Sequence, residues 1–90
     1  MKRYVFLFKG RVQGVGFRYT LQDYSQKYKL SGWVRNLPDG CSVEAEVQGS
    51  QKNIQAMVAD VKVYFGQNIR DISMHEIPVV VEEAVFTIQH

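Results

Sequence analysis

The sequence predicts an α+β domain, and three observations carry that expectation. Apolar residues recur at helical spacing in two places: Phe17, Leu21, Tyr24 and Tyr28, then Ile54, Met57, Val58, Val61 and Phe65. Runs rich in β-branched and aromatic residues flank both stretches. The segment SVEAEVQ, residues 42–48, alternates strictly between apolar and polar. The resulting order is β-α-β-β-α-β with an extra strand at the end. This is the split βαβ arrangement of ferredoxin-like folds, an antiparallel sheet with two helices on one face.

Residues 3–9, RYVFLFK, read as the first strand. Residues 10–16 hold three glycines and form a loop, and the first helix runs from Phe17 to near Leu30. Residues 32–36, GWVRN, form a short strand that turns at LPDG, where Pro38 fixes φ and Gly40 can take φ > 0. In the next strand Val43, Ala45 and Val47 face a core, while Glu44, Glu46 and Gln48 face solvent. Ser50 is the expected N-cap of the second helix and Gly66 its stop. Residues 69–76 and 84–89 read as strands, with Pro78 marking an edge or a break.

Ninety residues suffice for one domain, taken as 1–90. A lone cysteine, Cys41, excludes a disulfide within the chain, and the first apolar run is too short for a signal segment or a membrane span. A cytoplasmic, monomeric protein with no membrane partner is expected. The net charge of +2 hides an asymmetry: residues 1–35 hold eight Lys/Arg and one acid, residues 36–90 three Lys/Arg and eight acids. A basic half invites an anionic partner; equally, the two charge sets can mix once folded.

The loop GRVQGVGFR, residues 10–18, is the sharpest local signal. Glycines between a strand and a helix let successive backbone N–H groups line one concavity, and the helix start adds further donors. No Gly-Lys-Ser/Thr follows, so it is not a P-loop. Tyr19 stands where a dinucleotide fingerprint needs its third glycine. The third strand carries glutamates and no aromatic residue, which argues against an RNA-binding sheet and any nucleic-acid partner. Arg18 falls in the first helical turn, where a helix alone prefers an acid. An anion held between Arg18 and the loop amides removes that conflict. A non-enzymatic phosphate-binding module on the same fold is the main competing reading.

These residues also carry a family resemblance. GRVQGVGFR resembles the first signature of the acylphosphatases, G-x-V-Q-G-V-x-F-R, at seven positions, and GWVRNLPDG, residues 32–40, is similar to their second. The resemblance covers about residue 4 to Gly49. Cys41 and Ser42 stand where the family has one residue, so a local bulge or a longer turn is expected there. The resemblance implies hydrolysis of acyl phosphates to a carboxylate and inorganic phosphate, the latter acting as product and inhibitor; the family's domain also occurs fused within larger maturation enzymes, and a stand-alone enzyme is expected here. By position, Arg18 matches the substrate-binding arginine and Asn36 the asparagine that orients the attacking water. Gln13, Gly14, Val15, Gly16 and Phe17 match the loop whose amides hold the phosphoryl oxygens.

No cofactor is expected, and no metal: His75 and His90 lie fifteen apart and Cys41 is isolated. His75 is expected on a strand surface. Tyr19, Tyr24 and Tyr28 are expected to pack along the helix, Trp33 in the hairpin, and Met57 and Met74 in the core. Arg35, pointing away from the core, is a possible attractor of substrate.

Overall fold

A computed structural model describes all ninety residues. Its elements are β1 (Lys2–Gly10), α1 (Phe17–Lys27), β2 (Ser31–Asn36), β3 (Ser42–Gly49), α2 (Gln51–Phe65), a 3₁₀ turn (Gly66–Asn68), β4 (Ile69–Ile77) and β5 (Phe86–Ile88). The five strands form one sheet in the order β4-β1-β3-β2-β5, antiparallel except where β5 runs parallel to β2. This is the split βαβ sandwich expected, with the extra strand at one edge.

Alternation on β1 sends Tyr4, Phe6 and Phe8 to the helical side, and Val43, Ala45 and Val47 do the same on β3. They meet Phe17 and Leu21 of α1 and Ile54, Met57, Val61 and Phe65 of α2 in one continuous cluster. Phe17 joins the layers, with its ring centroid 5.0 Å from Phe8 and 4.7 Å from Phe65. Ser50 caps α2 as expected, its Oγ accepting the Asn53 N–H at 3.1 Å.

Several expectations need correction. Helix α1 stops at Lys27, one turn early: Lys29 adopts φ 57°, and the N–H groups of Leu30 and Lys29 donate to Ser25 and Gln26 carbonyls. That is a Schellman ending with lysine in the place glycine usually takes. Tyr19 is 58% exposed, because it lies two residues, about 200°, from Phe17 around the helix. Met74 is 47% exposed on edge strand β4. The ladder between β2 and β3 has no bulge; it runs unbroken to Asn36↔Val43. The added residue lengthens the turn, and Asp39 closes it by accepting from Cys41 N–H at 2.9 Å and Ser42 Oγ at 2.6 Å. Those two bonds hold the Asp39 carboxyl below its ordinary range, the Ser42 hydroxyl contributing most.

The second face of the sheet is not simply solvated. Because β4 and β5 lie at opposite edges, the chain between them must cross the sheet. It crosses over Arg3 and Gln48, only 2% and 3% exposed. Gln48 bonds both the N–H and the carbonyl of Val80, at 2.8 and 2.9 Å. Arg3 donates to Glu46 at 2.9 Å, Gln48 at 3.1 Å and Glu83 at 2.7 Å. Burial works against the Arg3 charge, but the bonds to Glu83 and Glu46 outweigh it, and its pKa rises. All five ion pairs, Lys2–Glu76, Arg3–Glu46, Arg3–Glu83, Lys27–Asp60 and Arg35–Glu44, join the basic first 35 residues to the acidic remainder. Half of the eight basic residues in the first 35 are therefore paired within the fold.

Two outcomes follow from these contacts. Arg3→Met strands the carboxylates of Glu46 and Glu83 and should cost about 3 kcal/mol in a urea melt; a loss below about 1 kcal/mol would mean that the crossing segment does not depend on Arg3. Asp39 has a lowered folded-state pKa, so its contribution is complete above the ordinary carboxylate range and disappears as pH falls through the lowered value. Asp39→Ala should thus melt below the wild type at pH 7, and the gap should close on acidification below about pH 4.

Candidate functional site

The loop from Arg11 to Gly16 links the end of β1 to the start of α1. Gly14 and Gly16 both take left-handed φ, 73° and 75°. A side chain there costs about 1–2 kcal/mol, although a Cβ at either position would meet nothing within 4 Å. These glycines are required for direction, not for room, and the surface beyond them is open. From Gln13 to Tyr19 no backbone N–H donates to a carbonyl or side chain; Thr20 is the first to do so, to Gly16 at 3.0 Å. Helix α1 starts without a side-chain cap and without an acid in its first turn. The result is a run of seven free donors at a positive helix end.

Two anchors hold this run in place. Phe17 is buried in the core, so only its N–H is free to serve the site. The Gln13 side chain is turned away from any ligand role: its Nε2 donates to the carbonyls of Leu37 at 2.8 Å and Ser42 at 2.9 Å. Those carbonyls belong to the turn that begins just after Asn36, so Gln13 ties the loop to the end of β2. Val15 is exposed at the loop tip.

Arg18 is half-buried in the first turn of α1 and takes part in none of the five ion pairs. Its Nη1 lies 3.3 Å from Nδ1 of His90. A guanidinium can only donate, so Nδ1 is the acceptor in that contact. His90 reaches this place because β5 pairs with β2 and Gln89 N–H donates to the Val34 carbonyl at 2.8 Å. Nothing local in the sequence signals a contact between residues 72 positions apart.

Asn36 ends β2 opposite Val43, and its Oδ1 is buried without a hydrogen-bond partner. A buried acceptor left open in this way costs about 1–3 kcal/mol and asks for a functional reason. Arg35, next to it, is not free to attract substrate: it donates to Glu44 at 2.9 and 2.7 Å and lies 5.2 Å from the Trp33 ring. His75 is exposed on β4, as expected. No group of three or more His, Cys, Asp or Glu side chains stands close enough to hold a metal ion. No helix is long and apolar enough to cross a membrane.

The family model described as Acylphosphatase matches residues 4–88. An acylphosphatase of Clostridium beijerinckii is 42% identical over 91 positions, covering all of both chains. The crystal structure of acylphosphatase from Bacillus subtilis superposes with a TM-score of 0.90 at 38% identity, again over all of both chains. HypF of T. kodakarensis superposes with a TM-score of 0.85 at 30% identity, covering all of this chain and 12% of that one.

The Gln13 tether can be tested without reference to turnover. Gln13→Ala removes two hydrogen bonds to carbonyls that keep a backbone partner each, Gly40 N–H on Leu37 and Leu37 N–H on Ser42, so it should cost about 1–2 kcal/mol of stability in a denaturant melt. It should also weaken inorganic phosphate binding by calorimetry. Unchanged values of both would show that the loop holds its shape unaided.

Proposed function

This chain belongs to the acylphosphatase family and hydrolyses acyl phosphates, and from that premise we propose how its residues share the work. The free N–H groups of Gln13, Gly14, Val15, Gly16 and Phe17, with the guanidinium of Arg18, hold the phosphoryl group, and Asn36 orients the attacking water. The observation that carries this reading is the run of seven unpartnered N–H groups ending at a helix whose first turn holds an arginine and no acid.

The chemistry suits so small a set of groups. A carboxyl–phosphate anhydride expels a carboxylate, a weak base that leaves without a proton. Catalysis then reduces to placing the water and stabilising charge on the equatorial oxygens. The loop amides and Arg18 supply that stabilisation, and Arg18 can bond two oxygens at once. The water oxygen attacks phosphorus, the bond to the acyl oxygen breaks, and its electron pair leaves with the carboxylate. A phosphoryl oxygen of the substrate accepts the proton the water loses. Asn36 suits the water because its amide can both accept and donate. Held in line, that water reacts with an effective concentration that free water cannot match. The single cysteine and the lack of any long apolar helix support work in the cytoplasm.

Two variants separate these roles. Charge-assisted bonds are worth about 1.5–3 kcal/mol each, so Arg18→Gln should lower kcat/KM on benzoyl phosphate by about two to four decades and weaken inhibition by phosphate. Most of the wild-type rate surviving in that variant would remove Arg18 from the mechanism. Asn36→Ala should lose turnover while keeping its phosphate affinity, because it takes away the water's anchor and leaves the cradle. A parallel fall in phosphate affinity would place Asn36 on the phosphoryl group instead.

A further inference from the structure

Beside the glycine loop lies a second cationic feature that the mechanism above does not use. A hollow of about 390 Å³ opens between the start of the loop and the 3₁₀ turn, and no apolar side chain lines it. Arg11, Gln13, Gln67, Asn68 and Arg70 form its walls. Neither Arg11 nor Arg70 enters any of the five ion pairs or any side-chain hydrogen bond, although most other arginines of this chain are tied to a carboxylate. The nearest acids in sequence do not line the hollow: Asp71 lies outside it, and Asp39 is occupied by Cys41 N–H and Ser42 Oγ.

The backbone builds this hollow with some care. Lys9 pairs with Asp71 but Gly10 pairs with Ile69, so Arg70 is the extra residue of a bulge in β4. Bulges re-aim a side chain. Gly10 allows β1 to come close at this point: a Cβ there would stand 2.2 Å from the Asn68 carbonyl oxygen and 2.9 Å from the Arg70 nitrogen. Arg11 N–H donates to that same Asn68 carbonyl at 2.7 Å, which fixes the back wall against the loop. Arg11 precedes Gly14 by three residues, a Cα separation of at most about 11 Å. The hollow is therefore within reach of an acyl group whose phosphate sits on the loop amides.

We propose that the hollow is a specificity subsite for the acyl half of the substrate, where Arg11 and Arg70 receive a second anionic group such as a carboxylate. The inference rests on the loop holding the phosphoryl end. Two arginines with free forks match a carboxylate through charge-assisted hydrogen bonds. A polar lining offers little to an unsubstituted aliphatic group, and a guanidinium gains more from a carboxylate than from a ring face. The enzyme then prefers acyl phosphates that carry a distal negative charge to those that do not.

The test compares benzoyl phosphate with 4-carboxybenzoyl phosphate, two substrates that differ only in the distal carboxylate. The quantity read is the ratio of their kcat/KM values, compared between proteins so that intrinsic reactivity cancels. The wild type should favour the carboxylated substrate at low salt, and the preference should shrink as salt rises. The double variant Arg11→Gln, Arg70→Gln should lower the ratio about tenfold, while Arg11→Lys, Arg70→Lys should keep part of it. Both arginines are exposed, and melting curves verify that the variants fold. If the wild type hydrolyses benzoyl phosphate and the ratio is the same in all three proteins, the subsite is refuted while the catalytic reading stands. If the wild type hydrolyses neither substrate, the catalytic reading fails and takes the subsite with it.

Discussion

The start of α1 is unfinished by the protein itself, and the rest of the site follows from that. A helix normally satisfies its first N–H groups with a capping side chain, and losing such a cap costs about 1 kcal/mol. Here the N-cap is a left-handed glycine, no side chain caps, and the first turn holds Arg18 in place of an acid. Each choice weakens the isolated helix. Together they leave a positive helix end, a line of donors and a guanidinium that no carboxylate claims. The fold meets the cost elsewhere, with Phe17 sunk in the core and Gln13 bonded to two carbonyls of the neighbouring turn. The loop is thereby held in place by the fold, and on the proposed reading this is the preorganisation that electrostatic catalysis requires of its donors.

Charge distribution reinforces the point. A surplus of basic residues in the first 35 positions invites a polyanion when read along the chain. In the folded protein each ion pair joins that segment to the acidic remainder, and Arg3 is enclosed between β3 and the crossing segment by Glu46 and Glu83. Four of the eight basic residues, Lys2, Arg3, Lys27 and Arg35, are spent on pairs within the fold. Arg11 and Arg18, which enter none of these pairs, lie either side of the Gly14–Gly16 turn. Positive charge is left over where the loop is, and that bias is a property of the tertiary pairing.

How much of this could be read from the residues alone depended on the range of the interaction. Local signals were reliable: period in α1 and α2, alternation in β3, the Ser50 cap and the spacing of the glycine loop all led to the right elements. So did the placing of Asn36 at the end of β2, because a turn signal follows it directly. What failed was set by distant partners or by unusual backbone. Lys29 in a left-handed ending gives no sequence sign, since glycine is the expected residue there. The polar face of β3 read as solvated because its cover, the segment crossing from β4 to β5, comes more than thirty residues later. The bulge between Lys9 and Gly10 gave no sign either, since pairing with β4 decides it. The open Oδ1 of Asn36, the contact between His90 and Arg18, and the tether from Gln13 are likewise visible only once strands and loops have met.

The position of β5 has a consequence for how the surroundings of Arg18 are completed. It pairs with β2 at the far edge of the sheet, and the residues after it bring His90 to the guanidinium of Arg18. The strands β1, β2 and β3 and helix α1 can assemble without it, yet the surroundings of that arginine close only when this segment docks beside β2. A bulky group attached near His90 would therefore crowd the start of α1, not a remote corner of the molecule.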